Sequence, residues 1–455
     1  MMPRMDHTSI LRKYGLFDAK VPRYTSYPPA NRFVQGVGAR LQRDWLKKVG
    51  PDEAVSVYVH IPFCRRLCWF CACRTQGTKT LSPVEAYVEV LLLEIDAYRA
   101  ALPTGIKMRR LHLGGGTPTL LSADLMQRLL DRIFACFAQT DDFEFSVEID
   151  PTEAKPDVLA VLAAREMARA SVGVQDFDPR VQAAIGREQS FDQTRDVIER
   201  LRKNGVQSLN VDVLYGLPFQ TAQGILDTVD RIVSLHPDRL ALYGYAHVPH
   251  VSKRQVMIPE NALPDPEKRF FLANLAKDRL TAMGYEALGI DHFALPADSL
   301  ALAAKKGKMV RNFQGYTDDP CTTLIGIGAS AISKFTGGYI QNAVSTSAYV
   351  EKVRACGLSG HKGIALTTED AYVASLINDV MCNGAIDKTA SVRAYPDFAD
   401  LLMHQIKLLK ERFHDLVVDT PDLLMVRSEF LAATRLIAAE LDRSRPEEHQ
   451  HSLAV

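Results

Sequence analysis

Six short runs rich in β-forming residues alternate with longer amphipathic stretches, and this alternation constrains the fold more than any other feature. Apolar residues in the longer stretches recur at three- and four-residue spacing, most clearly at residues 83–102 and 192–204, which predicts helices. Alternating strands and helices require parallel strands with right-handed crossovers. The sequence therefore predicts an α/β fold, either a doubly wound sheet or an open, partial TIM-type barrel. The predicted strands are residues 55–59, 109–113, 143–149, 170–174, 208–214 and 239–245.

The pattern changes near residue 365, and we predict three segments. These are an N-terminal extension at residues 1–50, the strand–helix region at residues 51–365 and a mainly helical C-terminal domain at residues 366–455. A helix, a hairpin and a last helix in the third segment resemble a winged-helix arrangement. No basic stripe accompanies them, so we interpret them as a helical cap, with a frayed polar tail at residues 444–455.

Charge and hydropathy limit the class of partner. The 54 Lys and Arg residues balance the 54 Asp and Glu residues, which argues against bulk electrostatic binding to nucleic acid or acidic membranes. No apolar run approaches the roughly 18 residues of a membrane span. The first residues contain no apolar stretch suited to a signal peptide. We therefore expect a cytoplasmic protein whose eight cysteines serve metal binding, catalysis or packing and not disulfides.

Four cysteines lie within ten positions, at Cys64, Cys68, Cys71 and Cys73. Three thiolates from one tight loop favour a [4Fe-4S] cluster with one open iron, since structural zinc sites commonly use two distant ligand pairs. Cys73 leaves a four-ligand metal site open, and buried thiols are the remaining alternative. Iron analysis would separate the cluster from a zinc-binding structural protein.

Polar and glycine-rich residues follow the predicted strands at their carboxyl ends, where parallel α/β folds bind ligands. Another glycine-rich string, Gly326-Ile327-Gly328-Ala329-Ser330-Ala331, fits a dinucleotide fingerprint only weakly, because no βαβ pattern surrounds it. We expect one site at the carboxyl ends of the strands. The residues there are Gly114, Gly115 and Gly116, Glu148, Asp150, Gln175, Asp176, Asp212, Ala246 and His247.

The cysteine spacing after a first strand resembles the radical S-adenosylmethionine (SAM) superfamily. Longer strings resemble one family within it, the oxygen-independent coproporphyrinogen III oxidases, from about residue 20 to the C-terminal region. The strings are Pro22-Arg23-Tyr24-Thr25-Ser26-Tyr27-Pro28, Tyr58-Val59-His60-Ile61-Pro62-Phe63-Cys64, Gly114-Gly115-Gly116-Thr117-Pro118-Thr119, Gly173-Val174-Gln175-Asp176-Phe177, Arg187-Glu188-Gln189, Tyr215-Gly216-Leu217-Pro218 and Arg311-Asn312-Phe313-Gln314-Gly315-Tyr316-Thr317.

The resemblance implies a partial (βα)6 TIM-type barrel and a set of cofactor contacts. Cys64, Cys68 and Cys71 would hold a [4Fe-4S] cluster that cleaves SAM. Glu148 would bind the SAM ribose, and Gln175, Arg187 and Asp212 would hold a second SAM. Further SAM contacts implied by the resemblance are Tyr58, Phe70, Gly114, Gly115, Gly116, Thr117, Ala246 and Ile332, with the glycine-rich loop at residues 326–331 as part of the same site.

The same resemblance implies an oxidoreductase of haem biosynthesis. A 5′-deoxyadenosyl radical would start the oxidative decarboxylation of two propionates of coproporphyrinogen III, giving the vinyl groups of protoporphyrinogen IX. A flavodoxin or ferredoxin would donate electrons, and the enzyme would be a monomer. Cationic and polar groups should meet the substrate carboxylates. The candidates are Arg23, Tyr24 and Arg311. His247 and His292 are alternative proton donors, but we favour a structural role for both.

Two alternatives stay open beside this function: a related haem chaperone, and a radical SAM enzyme acting on another tetrapyrrole. The segment around Arg23 and the thiol of Cys73 favour the oxidase over the chaperone. Four positions depart from the family pattern. Leu295 replaces a basic residue, and we expect this loss of a cation near the site to alter substrate handling. The others are Gly244, where Asn is common, Leu113 and Ala72.

Overall fold

The structure, a computed structural model, describes residues 7–443. The predicted frayed tail lies outside the described residues. The helices are α1 (His7–Lys13), α2 (Ala39–Leu46), α3 (Ser82–Ala101), α4 (Ala123–Cys136), α5 (Pro156–Ala164), α6 (Pro179–Ile185), α7 (Phe191–Lys203), α8 (Ala222–Val233), α9 (Pro266–Ala282), α10 (Ser299–Lys305), α11 (Thr346–Cys356), α12 (Thr368–Asn383), α13 (Lys388–Ala394), α14 (Ala399–Arg412) and α15 (Thr434–Leu441).

Most of the strands belong to one mixed sheet, and the others form small separate sheets. The strands are β1 (Val34–Gln35), β2 (Ala54–Ile61), β3 (Phe63–Cys64), β4 (Gln76–Gly77), β5 (Lys107–Gly115), β6 (Ala138–Ile149), β7 (Arg169–Gln175), β8 (Ser208–Tyr215), β9 (Arg239–Gly244), β10 (Glu286–Leu288), β11 (His292–Ala294), β12 (Val310–Asn312), β13 (Gly315–Thr317), β14 (Thr323–Ile327), β15 (Ile332–Phe335), β16 (Gly338–Asn342), β17 (Gly360–Ala365), β18 (Ala385–Asp387), β19 (Val417–Asp419) and β20 (Leu423–Val426).

The six predicted strands are confirmed as β2, β5, β6, β7, β8 and β9, which are parallel neighbours in chain order. Helices follow them in the sequence, as parallel pairing requires. The two clearest predicted helices are confirmed as α3 and α7 within one residue at each end. The α/β prediction therefore holds, with the strand order of a partial (βα)6 barrel.

The sheet is wider than the sequence predicted. β14 adds a seventh parallel strand beside β2, and β15, β16, β17 and β1 continue from it as antiparallel neighbours. β11 and β10 extend the opposite edge from β9, also antiparallel. These short strands carry weak alternation, so sequence periodicity alone did not mark them.

The strands of the barrel bury two different surfaces. Along β2, Val55, Val57, Val59 and Ile61 are at most 1% exposed and pack in the large hydrophobic cluster. The alternate residues Ser56, Tyr58 and His60 line an internal cavity. Since side chains alternate along a strand, one face holds the core while the other is polar and faces a potential ligand.

A second hydrophobic cluster joins the first and last described segments of the chain. Leu11, Leu16, Phe17, Val21, Tyr24 and Tyr27 pack with side chains from α12, α14 and α15. A capping box between Thr367 and Asp370 fixes the start of α12. β18, β20 and β19 form a small antiparallel sheet beside these helices. The N-terminal segment thus packs against the C-terminal helices, although the three-segment division itself stays a prediction.

Within residues 7–443, no helix combines the length and the apolar character needed to cross a bilayer.

A buried carboxylate ties the antiparallel extension to α3. Glu94 is fully buried and accepts hydrogen bonds from Gly328 N (2.7 Å) and Tyr349 Oη (2.8 Å). Its other oxygen accepts from Asn342 Nδ2 and Ser359 Oγ, each at 3.0 Å. Burial raises the pKa of Glu94 to about 7, while these donors favour the ionised form. Glu94 therefore holds the loop that begins at Gly328.

We expect Glu94→Ala to lower the free energy of unfolding by about 3 kcal/mol or more, because four buried donors lose their acceptor. Urea denaturation measures the effect. Glu85→Ala, in the exposed first turn of the same helix, is the control, with an expected change below about 1 kcal/mol. Equal midpoints for the two variants would show that the network is energetically unimportant.

Candidate active site

The cysteine loop follows β2 and is fixed by backbone hydrogen bonds. Gly116 N donates to Ile61 O (2.8 Å), and Thr117 N donates to Phe63 O (2.9 Å). From the other side, Trp69 N donates to Ile185 O (2.9 Å). β3 and β4 close the base of the loop as a short parallel pair. Cys64, Cys68 and Cys71 are therefore held at the carboxyl ends of the parallel strands.

The triple glycine is required by contacts within the protein. A Cβ atom on Gly116 would lie 2.5 Å from Phe63 O, and one on Gly115 would lie 2.5 Å from the His60 ring. A Cβ atom on Gly114 would lie 2.8 Å from Glu148 Oε1. Only glycine permits this close approach of β5 to the cysteine loop and to β6.

A buried arginine supports the thiols. Arg187 Nη1 lies 3.5 Å from Cys68 Sγ and 3.1 Å from Asp150 Oδ2, and Nη2 donates to Gly173 O at 2.8 Å. Its Nε is buried without a partner among the described residues. Arg187 therefore places positive charge beside a group that binds metals as a thiolate.

The thiols differ in their electrostatic surroundings. Burial raises the pKa of the Cys64 thiol to about 11. A hydrogen bond from the Cys73 thiol lowers the pKa of Cys71, and the same pairing raises that of Cys73. Cys73 thus lies beside Cys71 and also lines the internal cavity.

The donor set fits an iron–sulfur cluster. Three soft thiol ligands come from one loop, next to a buried cation. Within residues 7–443, no three Cys, His, Asp or Glu side chains converge closely enough to hold one metal ion. Three thiolates from one loop are typical ligands of an iron–sulfur cluster.

The internal cavity, called here the main cavity, has a volume of about 520 Å³. Five of the residues with implied SAM contacts line it: Tyr58, Gly115, Glu148, Asp212 and Ile332. The others lie outside its lining, around the cysteine loop and the adjoining strand ends. These are Phe70, Gly114, Gly116, Thr117, Gln175, Arg187 and Ala246.

Two carboxylates of the main cavity have opposite electrostatic surroundings. Burial opposes ionisation of Glu148, but hydrogen bonds from His112 and from Gly115 N (2.9 Å) outweigh it and lower its pKa. Burial and the charge of Glu148 raise the pKa of Asp212 to about 6, despite bonds from Asn210 and Ser171. Glu148 is therefore a charged acceptor, and Asp212 holds a proton more readily.

The structure brings together two of the three substrate candidates. Tyr24 and Arg311 line a second cavity of about 390 Å³, together with Lys308 and Lys334. Both cavities are lined by Phe313, Thr317, Asp319 and Leu324, so they adjoin. Arg23 lines a separate cavity of about 120 Å³ and donates to Gly244 O at 3.0 Å.

A charged chain connects the second cavity to the main cavity. Arg311 Nη2 lies 3.4 Å from Asp291 Oδ2, and Asp291 Oδ1 lies 2.7 Å from His292 Nδ1. Burial opposes ionisation of Asp291, but Arg311 and His292 hold its pKa well below the usual range. His292 lines the main cavity. His247 does not line the main cavity. Its two ring nitrogens are each 2.8 Å from a partner, Tyr245 Oη and Glu260 Oε1.

Sequence reasoning missed Gln255, a fully buried residue that fixes two predicted contacts. Gln255 Nε2 donates to Phe70 O (2.8 Å) and to Ala246 O (3.1 Å). No motif marks this glutamine, because its partners are backbone atoms of distant segments. Its role depends on tertiary structure alone.

The expectation that Leu295 lies near the site is wrong, and its effect on substrate handling stays a prediction. Leu295 follows β11, whose Ala294 pairs with Arg239 at the amino end of β9. Leu295 lines neither the main cavity nor the second cavity. An antiparallel strand reversed the chain direction, so a residue near His292 in sequence lies at the opposite end of the barrel from the cysteine loop.

Three comparisons with known proteins agree. The profile of the radical SAM superfamily matches residues 58–232. An oxygen-independent coproporphyrinogen III oxidase of Cereibacter sphaeroides is 47% identical over 99% of this chain and 100% of its own length. The oxidase of the same name from Escherichia coli is 38% identical over 91% and 90%. The solved coproporphyrinogen III oxidase from Escherichia coli, described as a radical SAM enzyme, superposes with a TM-score of 0.89 at 34% identity, over 94% of this chain and 100% of that one.

We expect Asp212→Asn to stabilise the cofactor-free protein near neutral pH. The raised pKa means that the stability from protonated Asp212 is fully present below about pH 4 and is lost as the pH rises through about 6. Ionised Asp212 therefore costs about 2–3 kcal/mol near neutrality, which Asn avoids while keeping an acceptor for Asn210.

Thermal unfolding at about pH 7.5 and about pH 5 measures this effect. The gain in Tm should be larger at the higher pH. Asp150→Asn is the control and should lower the Tm, because it removes the ion pair with Arg187. If Asp212→Asn and the wild type differed in Tm by the same amount at both pH values, the result would contradict the assigned environment of Asp212.

Proposed function

The chain belongs to the oxygen-independent coproporphyrinogen III oxidase family of the radical SAM superfamily, and on this premise we propose that it converts coproporphyrinogen III to protoporphyrinogen IX. It is an oxidoreductase that removes two propionate carboxyl groups by oxidative decarboxylation. The observation that carries the proposal is the arrangement of the cysteine loop, the main cavity and the second cavity, which adjoin in that order.

The cysteine loop would hold a [4Fe-4S] cluster through Cys64, Cys68 and Cys71. When bound, the cluster and SAM supply one-electron cleavage and hydrogen-atom abstraction at a propionate carbon. Buried Arg187 keeps positive charge next to the thiolates, and Trp69 and Phe70 shield the loop from water.

The main cavity would bind SAM. Glu148 is ionised and suited to accept hydrogen bonds from ribose hydroxyls, with Tyr58, Gly115 and Ile332 around it. A second SAM is a further part of the proposal, with contacts from Gln175, Arg187 and Asp212. Gln255 supports both proposed SAM sites, because it binds the backbone of Phe70 and Ala246, which are further proposed SAM contacts.

The second cavity would bind the tetrapyrrole. Its lining combines aromatic rings with cations, which suits a flat apolar macrocycle bearing carboxylates. Arg311 is 4% exposed and also stacks over Tyr316, so its charge is fixed in place. Lys308 and Lys334 lie at more exposed positions of the same cavity. Arg23 is a more distant candidate for a remaining propionate.

His292 would orient the substrate at the boundary of the two cavities. Asp291 binds Nδ1 of His292, so Nε2 does not contact Asp291. Gly315 and the ring of Tyr243 lie near the imidazole. Removal of a hydrogen atom, CO₂ and one electron from each propionate requires no proton from the protein. His292 is therefore proposed as a positioning residue.

The conditions of the reaction complete the proposal. Thiolate ligands must stay reduced, which supports the cytoplasm as the location. A low-potential flavodoxin or ferredoxin is the proposed electron donor. The expectation of a monomer stays a prediction.

We expect the anaerobically reconstituted protein to form protoporphyrinogen IX and 5′-deoxyadenosine from coproporphyrinogen III and SAM with a chemical reductant. Cys64→Ala/Cys68→Ala should lose both products, because the cluster loses two ligands. Cys356→Ala, an exposed cysteine in α11, should keep them. Full decarboxylation by the double variant, or stable haem binding without SAM cleavage, would contradict the proposal.

We expect Lys334→Gln to raise the KM for coproporphyrinogen III about threefold to tenfold with little change in kcat, since a partly exposed cation contributes binding more than chemistry. Steady-state kinetics at saturating SAM measure this. Lys48→Gln, exposed before β2 at the amino end of the barrel, is the control. An unchanged KM for Lys334→Gln would place the tetrapyrrole elsewhere.

A further inference from the structure

Two stretches of the chain that carry cations but no acid meet beside the cysteine loop. No Asp or Glu lies between Glu53 and Glu85, a stretch that contains Arg74 and the four clustered cysteines. None lies between Asp238 and Glu260, a stretch that contains Lys253 and Arg254. In a chain with equal numbers of acids and bases, this is a local excess of positive charge.

Hydrogen bonds fix the second stretch onto the first. Ser252 Oγ donates to Cys71 O at 2.9 Å, and Gln255 Nε2 donates to Phe70 O at 2.8 Å. Arg254 donates to Thr75 Oγ1 and Thr75 O at 3.1 and 3.0 Å. The segment around Lys253 therefore covers the proposed cluster ligands from outside the barrel.

Apolar side chains of this segment face solvent. Val251, Val256 and Met257 are 49%, 70% and 55% exposed, and Val256 is the most exposed large apolar side chain among the described residues. We call the surface formed by Val251, Lys253, Arg254, Val256 and Met257 the docking face. Exposed apolar residues with cations around them are typical of a protein-binding surface.

The charges of the docking face are not neutralised within the described chain. Lys253 and Arg254 take part in no ion pair between described residues. The next acid along the chain, Glu260, has an exposed side chain that lies 2.8 Å from His247 Nε2. Other cations of the cysteine loop differ, since Arg65 and Arg66 lie on its far side near Glu153. Positive charge without a neighbouring acid is thus found on the side of the loop that Lys253 covers.

We propose that the docking face binds an acidic one-electron carrier protein that reduces the cluster, an inference that rests on the proposed function. An acidic carrier complements the cations, while Val256 and Met257 supply apolar contact. The carrier loses one electron and the cluster gains it, with no bond or proton transferred. Its residues line neither the main cavity nor the second cavity, so the carrier and the tetrapyrrole approach the cluster from different sides.

Direct binding tests the proposal without relying on turnover. The probe is purified flavodoxin, an acidic flavoprotein, titrated into the anaerobically reconstituted protein by calorimetry at several salt concentrations. The wild-type Kd should rise with salt, and Lys253→Glu/Val256→Asp should weaken binding about tenfold or more, because both changes repel an acidic partner. Lys47→Glu/Lys48→Glu, an exposed pair just before β2 at the amino end of the barrel, should change Kd less than about twofold.

Formation of 5′-deoxyadenosine with two reductants gives the second measurement. With limiting reduced flavodoxin, Lys253→Glu/Val256→Asp should be slower by a similar factor, through KM for the carrier. With dithionite, its rate and iron content should equal those of the wild type.

Equal flavodoxin binding by the variant and the wild type would overturn the proposal. The proposal would also be overturned if Lys253→Glu/Val256→Asp formed 5′-deoxyadenosine more slowly with dithionite by the same factor. That result would mean that the segment supports the structure of the cluster site. A wild type that binds flavodoxin in the predicted manner yet never cleaves SAM would support the docking face and contradict the proposed function.

Discussion

The contact between the cysteine loop and the glycines after β5 is the constraint on which the site depends. Gly116 and Thr117 donate to the carbonyls of Ile61 and Phe63, and a side chain at Gly116 would lie 2.5 Å from Phe63 O. Backbone pairing this close fixes the cysteines relative to β2, β5 and β6. Any added Cβ atom would force these strand ends apart. The thiols, Glu148 and the main cavity therefore share one rigid frame.

The polar interior of the barrel follows from the same strands. Alternation places aliphatic side chains against the helices and polar ones inside, where burial acts on every charge. Hydrogen bonds decide the outcome for each group. Bonds from His112 and Gly115 keep Glu148 ionised, whereas the bonds from Asn210 and Ser171 do not overcome burial and the charge of Glu148 at Asp212. The two carboxylates of one cavity are thereby suited to different partners.

The N-terminal segment and α12 complete the second cavity. Tyr24 belongs to the N-terminal segment and Arg311 to β12, yet one hydrophobic cluster holds the N-terminal segment against α12, whose residues also line that cavity. The cysteine loop is covered from outside by the segment around Lys253. The proposed electron carrier and the proposed substrate would thus reach the cluster from separate sides, so both could be bound at the same time.

The sequence by itself determined the parallel strands, α3 and α7, because periodicity and β-forming residues are local properties. It also marked Cys64, Cys68 and Cys71 by spacing, and Glu148 and Asp212 by their positions at strand ends. Only the tertiary structure decided the roles of Gln255, Glu94 and Asp291, whose partners are distant in the chain. The tertiary structure also places Leu295 at the end of the barrel opposite the cysteine loop. The reason is physical: local pattern fixes the conformation of a segment, but long-range packing and chain direction decide which side chains meet.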